Sequence, residues 1–302
     1  MKPSFIDLQV NGHGGVDLLS ARSVAEIRKV SRSLYQNGVA GYLATIITAP
    51  VEVAVRAIKL IEEVRKNPEP GEALILGVHL EGPFISKIKR GVHPEEFVKN
   101  PDIDHINKLL AAGEIKEVTL APELPGAIDL IKYLVSKNIV VSLGHSNATY
   151  EEAVAGFDAG AKTITHLYNA MAKTLSDVIG KASLERSEIL IQLIVDDVHI
   201  AHDLLIETMP KLKGRYIMTN DPMAAAGLGN GEFPLGDMNI MVKDGVARRA
   251  DGTLAGGVAT LADSLEILDQ LGISYEDAIA SVTTRPCQLI GVDYNSIINR
   301  LN

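Results

Sequence analysis

Short apolar, β-branched runs alternate along this chain with longer segments whose apolar residues recur every three or four positions. The runs at residues 5–10, 41–47, 75–80, 117–121, 139–143, 163–167, 191–195 and 216–219 have the length and composition of strands. Between them, residues 23–36, 51–66, 127–137, 150–159 and 201–209 carry the helical period. Strand–helix alternation repeated around eight strands predicts an α/β chain folded as a (β/α)8 TIM-like barrel, one domain over residues 1–302. An open doubly wound sheet is the rival. It usually has a glycine-rich phosphate turn after its first strand, and Asn11-Gly12-His13-Gly14-Gly15 lacks that spacing. Long loops at 83–102 and 221–237 follow the third and eighth strands, and ordered loops of that length are often functional. Next come the stretch 238–242, a turn at Asp251-Gly252-Thr253, helices over 261–271 and 275–283, and a polar tail.

The strand ends carry the candidate chemistry. Glu81 closes Val78-His79-Leu80-Glu81, His145 follows Ser142-Leu143-Gly144, and His166 follows Thr165. A barrel keeps its active site at the C-terminal ends of its strands. One carboxylate and two imidazoles form a ligand set for a catalytic metal with an open position. Asp221, at the end of the eighth strand, can take a proton from water and return it to a leaving amine. A single strand-end histidine is more often structural, but four such residues at four strand ends of one barrel form a coherent site. His13, His93 and His199 lie in loops that can reach the rim, His79 lies one layer below Glu81, and His105 and His202 are expected at the surface.

Composition narrows the partners. The chain has 302 residues and 46% are apolar, enough for a large core built from aliphatic side chains, since aromatics make up only 4%. A net charge of −9 argues against nucleic acid and anionic membranes as partners. No apolar run is long enough to span a bilayer, and the first residues lack the basic-then-apolar pattern of a signal peptide, so none is expected. The single cysteine, Cys287, forms no intrachain disulfide and reads as a buried small residue, which fits a reducing, cytoplasmic setting.

Several motifs together resemble the N-acetylglucosamine-6-phosphate deacetylase family of the amidohydrolase superfamily. They are Phe5-Ile6-Asp7-Leu8-Gln9-Val10-Asn11-Gly12, residues 77–84, Thr119-Leu120-Ala121-Pro122-Glu123, Gly144-His145-Ser146, residues 165–171, Ala224-Ala225-Ala226-Gly227-Leu228 and Leu254-Ala255-Gly256-Gly257. They run in order along nearly the whole chain. The resemblance implies hydrolysis of the acetamide of N-acetylglucosamine 6-phosphate to glucosamine 6-phosphate and acetate. It implies metal ligation by Glu81, His145 and His166, acid/base work by Asp221, and polarisation of the acetamide by His93. Substrate contacts are implied for Val92, Asn169, Ala170, His199, Leu254, Ala255 and Gly256, and a homodimer by analogy. Gln9 and Asn11 stand where many amidohydrolases carry His-x-His for a second metal. Neutral amides are poor ligands, so one divalent ion is expected, zinc by default with Fe²⁺ acceptable. Gln9 and Asn11 are expected to hydrogen-bond a water near it.

Three departures qualify the resemblance. The family's β-sandwich, built from both chain ends, is not expected within this sequence, which reads as a minimal barrel or else a fragment. The loop after His166 carries Asp177 where an arginine normally meets phosphate, with Lys173, Lys181 and Arg186 as possible substitutes. Asp197 replaces a usual glycine and is expected to act on His199. Deacetylation of an unphosphorylated or different N-acyl amino sugar is therefore an alternative, and a metal-binding barrel without turnover is a second.

Overall fold

The run Phe-Ile-Asp-Leu-Gln-Val forms the first strand, β1 (Phe5–Val10), with every residue buried. The computed structural model describes residues 2–172, 178–212 and 214–301. Seven strands continue the sheet: β2 (Val39–Ile47), β3 (Leu74–Glu81), β4 (Ile115–Leu120), β5 (Val140–Leu143), β6 (Thr163–Ile164), β7 (Leu190–Leu193) and β8 (Tyr216–Met218). Each pairs in parallel with the next, so spatial order follows chain order. Parallel neighbours need crossovers, and most are helical: α1 (Val24–Gln36), α2 (Val51–Lys66), α3 (Ile103–Leu110), α4 (Ala127–Ser136), α5 (Tyr150–Asp158), α6 (Val178–Leu184) and α7 (His202–Leu212). The expected (β/α)8 barrel is present.

Local sequence explains the helices. In α1, Ile27, Val30, Ser31 and Leu34 are buried at the three- and four-residue spacing of one helical face. Ser23 and Glu26 exchange hydrogen bonds in a capping box at its start, as Thr149 and Glu152 do for α5. The expected helices at 23–36, 51–66, 127–137, 150–159 and 201–209 all form, within a residue or three at their ends.

Two regions differ from expectation. The loop at 221–237 contains a strand, β9 (Gly231–Leu235), which pairs antiparallel with β10 (Met238–Lys243), itself paired with β11 (Val246–Arg248). The tail is helical rather than merely polar. After α8 (Leu261–Gln270) and α9 (Tyr275–Ser281) come α10 (Thr284–Ile290) and α11 (Tyr294–Leu301). Their Cys287, Leu289, Ile290 and Ile297 form a second core cluster with Ile6, Leu8, Ala40 and Ile217. Most of these strand residues lie early in their strands, so the end helices close the barrel at the end opposite the candidate site. Burial raises the Cys287 thiol to about 12, in keeping with an inert packing residue.

Among the described residues no ladder joins β8 back to β1. Single bonds cross that seam. The Asn11 and Gly12 amides donate to the Pro222 carbonyl at 2.9 and 3.1 Å, while the Ile6 amide turns instead to the Val282 carbonyl at the end of α9, at 2.7 Å. Among the described residues no helix is long and apolar enough to cross a membrane.

Candidate active site

Glu81 is the last residue of β3 and is 3% exposed. The His145 and His166 Nε2 atoms lie 3.1 and 2.9 Å from its Oε1. Both histidines follow their strands at positive φ, 49° and 31°, as does Asp221 at 48° after β8. Left-handed backbone at three non-glycine strand ends is costly, and such strain collects at functional sites. It turns these side chains off the strand direction and over the barrel mouth.

The tautomers decide what this cluster can hold. The His145 Nδ1 lies 2.9 Å from the Lys89 carbonyl, which can only accept, so Nδ1 carries a hydrogen. In the neutral ring, Nε2 then presents a lone pair to a carboxylate oxygen. Two acceptors at this distance need a cation between them, either a proton or a metal ion. A neutral imidazole oriented by a backbone carbonyl is a usual form of metal-ligating histidine. The donor set therefore fits a divalent ion held by Glu81, His145 and His166. Burial alone would raise the Glu81 carboxyl, but hydrogen bonding to the two imidazoles, and the charge they carry when a proton takes the place of the ion, hold it well below the ordinary range.

His93 is a second neighbour of Glu81. The donor atoms of Glu81, His93 and His145 all lie within 4.8 Å of one another. His93 Nε2, however, stands 3.8 Å from Glu81 Oε2, farther than the other two imidazoles. Its Nδ1 accepts the Thr48 amide at 3.3 Å and lies 2.8 Å from the Thr48 hydroxyl. Nδ1 is thus an acceptor and Nε2 carries the hydrogen. Burial, then the charge of His145, lowers its pKa to about 3, so His93 is neutral and acts as an N–H donor rather than a ligand.

Gln9 and Asn11 reach the carboxylates directly. Gln9 Nε2 donates to Glu81 Oε1 at 2.9 Å and Asn11 Nδ2 donates to Asp221 Oδ1 at 2.6 Å. Burial, then the negative charge of Glu81, pushes the Asp221 carboxyl well above its ordinary value. Beneath the site, His79 Nε2 lies 2.7 Å from the Thr119 hydroxyl, in the supporting position expected of it.

A cavity of about 290 Å³ opens over these residues, and Val92, Asn169, Ala170, His199, Leu254 and Gly256 also line it. Ala255 is fully buried and does not line it. In this extended segment, bonded to β11 through Ala255 N to Ala247 O, alternate residues face opposite ways. The Ala255 side chain therefore points away from the cavity. Asn169 donates weakly to the His166 and Leu167 carbonyls, at 3.3 and 3.4 Å, while its buried Oδ1 has no partner among the described residues.

The remaining histidines sort by partner. His199 lines the cavity with its Nδ1 2.7 Å from Asp196, so Asp196, not Asp197, is the carboxylate acting on it. Asp197 sits at φ 56° and lies 3.1 Å from His202. That left-handed backbone explains why glycine suits the position. His13 is buried against Ser33 at 2.8 Å and is absent from the cavity lining, and His105 is buried edge-on to Phe84 rather than exposed. Lys173 and Asp177 lie outside the described residues. Lys181 and Arg186 pair with Glu185 and Asp158, and the described lining contains no lysine or arginine.

A model of the amidohydrolase family matches residues 1–298. The chain belongs to the amidohydrolase family. Among relatives of this amidohydrolase, the N-acetylgalactosamine-6-phosphate deacetylase of Escherichia coli O157:H7 is 32% identical over 96% of this chain and 78% of its own length. The N-acetylglucosamine-6-phosphate deacetylase of Bos taurus is 35% identical over 97% of this chain and 75% of its own. A solved N-acetylglucosamine-6-phosphate deacetylase from Pasteurella multocida superposes with a TM-score of 0.89 at 33% identity, covering 96% of this chain and 77% of that one. A mutant of the Mycobacterium smegmatis enzyme, solved with N-acetyl-D-glucosamine-6-phosphate, gives 0.89 at 31% identity over 96% of this chain and 77% of that chain.

Proposed function

We propose that this amidohydrolase hydrolyses the acetamide of N-acetylglucosamine 6-phosphate, releasing acetate and glucosamine 6-phosphate. The observation that carries the reading is the facing of three functions across one cavity: the Glu81–His145–His166 cluster, the Asp221 carboxyl and the His93 Nε2–H. The relatives' activity agrees with it.

Glu81, His145 and His166 would hold one divalent ion, with zinc the best match to their nitrogen and oxygen donors. When bound, such an ion supplies Lewis acidity and lowers the pKa of a coordinated water. Asp221 takes a proton from the attacking water, its carboxylate aimed by Asn11. His93 Nε2–H donates to the acetamide oxygen as negative charge gathers there. Because His93 is neutral, it does this without giving up a proton. The C–N bond breaks, and Asp221 returns its proton to the departing amine. Asn169 Oδ1 is placed to accept from a sugar hydroxyl, and His199, held by Asp196, lines the cavity beside it.

The absence of lysine and arginine from the described lining favours a second reading, deacetylation of an unphosphorylated amino sugar. Acetate release from N-acetylglucosamine 6-phosphate, its galacto epimer and unphosphorylated N-acetylglucosamine separates the cases. The 6-phosphate is expected to lead by at least tenfold in kcat/KM, about the effect of one well-placed ionic contact. Equal rates with and without phosphate would select the second reading. No release from any of them by metal-replete protein would remove deacetylation altogether.

A further inference from the structure

The barrel's seam is held by a carboxylate that the proposed chemistry does not use. Asp7, in the middle of β1, is 2% exposed, and among the described residues no lysine, arginine or histidine pairs with it. Its Oδ1 accepts the Thr219 hydroxyl at 2.5 Å and the Gln9 amide at 3.0 Å, and its Oδ2 faces the Asn220 amide at 3.5 Å. Thr219 and Asn220 lie at the end of β8, across the seam where no ladder forms among the described residues. A buried carboxyl without a cation is expensive, so its retention at a barrel seam calls for a use.

That use is visible in what the seam carries. Asp7 and Gln9 lie on β1, whose register against β2 shifts between Asp7 and Val10, and Asn11 follows directly after the strand. Gln9 donates to Glu81, and Asn11 donates to Asp221. Asp7 binds the backbone amide of Gln9 itself and the two residues that immediately precede Asp221. One carboxylate therefore touches both sides of the seam, β1 at Gln9 and the end of β8 just before Asp221. The seam is also the least constrained boundary of the barrel, because ladder hydrogen bonds fix every other pair of adjacent strands.

We propose that Asp7 is a positioning residue that fastens the two ends of the eight-strand sheet and thereby aligns Gln9 and Asp221 across the site. Its effect on turnover rests on the deacetylase reading, whereas its effect on the seam does not. Asn is the same size as Asp, but one of its two terminal atoms is a donor. Asp7→Asn thus weakens the clamp without creating a cavity.

The test compares Asp7→Asn, Thr219→Val and the double variant with the parent enzyme, all metal-replete. The readouts are kcat, KM, metal per subunit, and amide hydrogen exchange at Gln9 and Asn220. Loss of alignment is expected to lower kcat roughly tenfold or more with little change in KM, in line with the cost of small misplacements. Metal content should hold, and exchange at both amides should quicken. Thr219→Val should show a smaller loss of the same kind, and the double variant should lose less than the product of the two. The proposal is overturned by unchanged exchange in Asp7→Asn, by kcat within twofold of the parent, or by losses that merely track metal content. Should Asp7→Asn fail to fold, full activity and unchanged exchange in Thr219→Val overturn it equally. A parent enzyme inactive on every N-acetyl sugar would sink the deacetylase reading, while the exchange data would still judge the seam.

Discussion

At the scale of single residues, the site separates the two kinds of proton work that amide hydrolysis needs. Asp221 is a carboxyl raised by burial and by Glu81, able to take and give a proton, while His93 is an imidazole that burial keeps neutral, able only to donate a hydrogen bond. The two should fail differently. Asp221→Asn keeps the shape and the Asn11 neighbour but cannot move a proton, so kcat should fall about 10²–10⁴-fold with metal content intact. Elemental analysis beside steady-state kinetics checks both halves, and full activity would remove Asp221 from this role. His93→Phe removes one donor to the developing oxyanion and should cost about 10²–10³ in kcat. Unlike Asp221→Asn, it also leaves the Thr48 amide and hydroxyl without their partner, so a lowered melting temperature should accompany the kinetic loss.

At the scale of elements, the barrel strands were legible because their β-branched runs are buried on both faces, and the helices between them because α1, α2 and α4 keep a clean apolar stripe. The strand-end residues Glu81, His145, His166 and Asp221 follow from that periodicity alone. What sequence reasoning missed depends on distance or parity. Helices α3 and α6 span only 8 and 7 residues, too few to display a period against their surroundings. The bond from His145 to the Lys89 carbonyl joins positions 56 apart, and no local pattern announces it. Ala255 was misassigned because a strand shows only alternate residues to one side. Its neighbour gives an element-scale prediction. Gly256 has φ +76°, and a Cβ there would stand 2.8 Å from the Asp221 carbonyl oxygen. Gly256→Ala should therefore push the β8 end, costing about 1–3 kcal/mol in stability and lowering kcat more than it changes KM. Thermal melts beside kinetics decide this, and a variant with parental stability and turnover would show that the segment yields freely.

At the scale of the whole molecule, the barrel interior holds a second carboxyl whose protonation bears on stability. Glu117 on β4 is fully buried and accepts a hydrogen bond from Gln192 on β7, a strand that is not its neighbour in the sheet. The pair therefore braces the barrel across its interior. Two buried oxygens without a partner, Glu117 Oε2 and Gln192 Oε1, belong to this same pair. A protonated Glu117 supplies the hydrogen they lack. Burial, opposed by the Gln192 hydrogen bond and reinforced by the charge of Glu81, raises the Glu117 carboxyl to about 8. The folded protein then holds a proton at neutral pH that the unfolded chain, with an ordinary carboxyl of about 4.5, releases. Glu117 thus contributes stability in full below pH ~4.5, and loses it progressively as pH rises through ~8. A shift of this size corresponds to roughly 5 kcal/mol over that window. Glu117→Gln keeps the shape and provides a permanent donor toward Gln192 Oε1. In urea unfolding it should match the parent near pH 5, exceed it by a few kcal/mol near pH 8, and show a flatter slope between. Depressed carboxyls such as Glu81 act with the opposite sign, so the parent's total curve need not fall, and only the difference between the two proteins isolates Glu117. A difference that stays constant from pH 5 to 8 would mean that Glu117 is ionised in the folded barrel, and that its brace to Gln192 is the one-bond contact of a carboxylate.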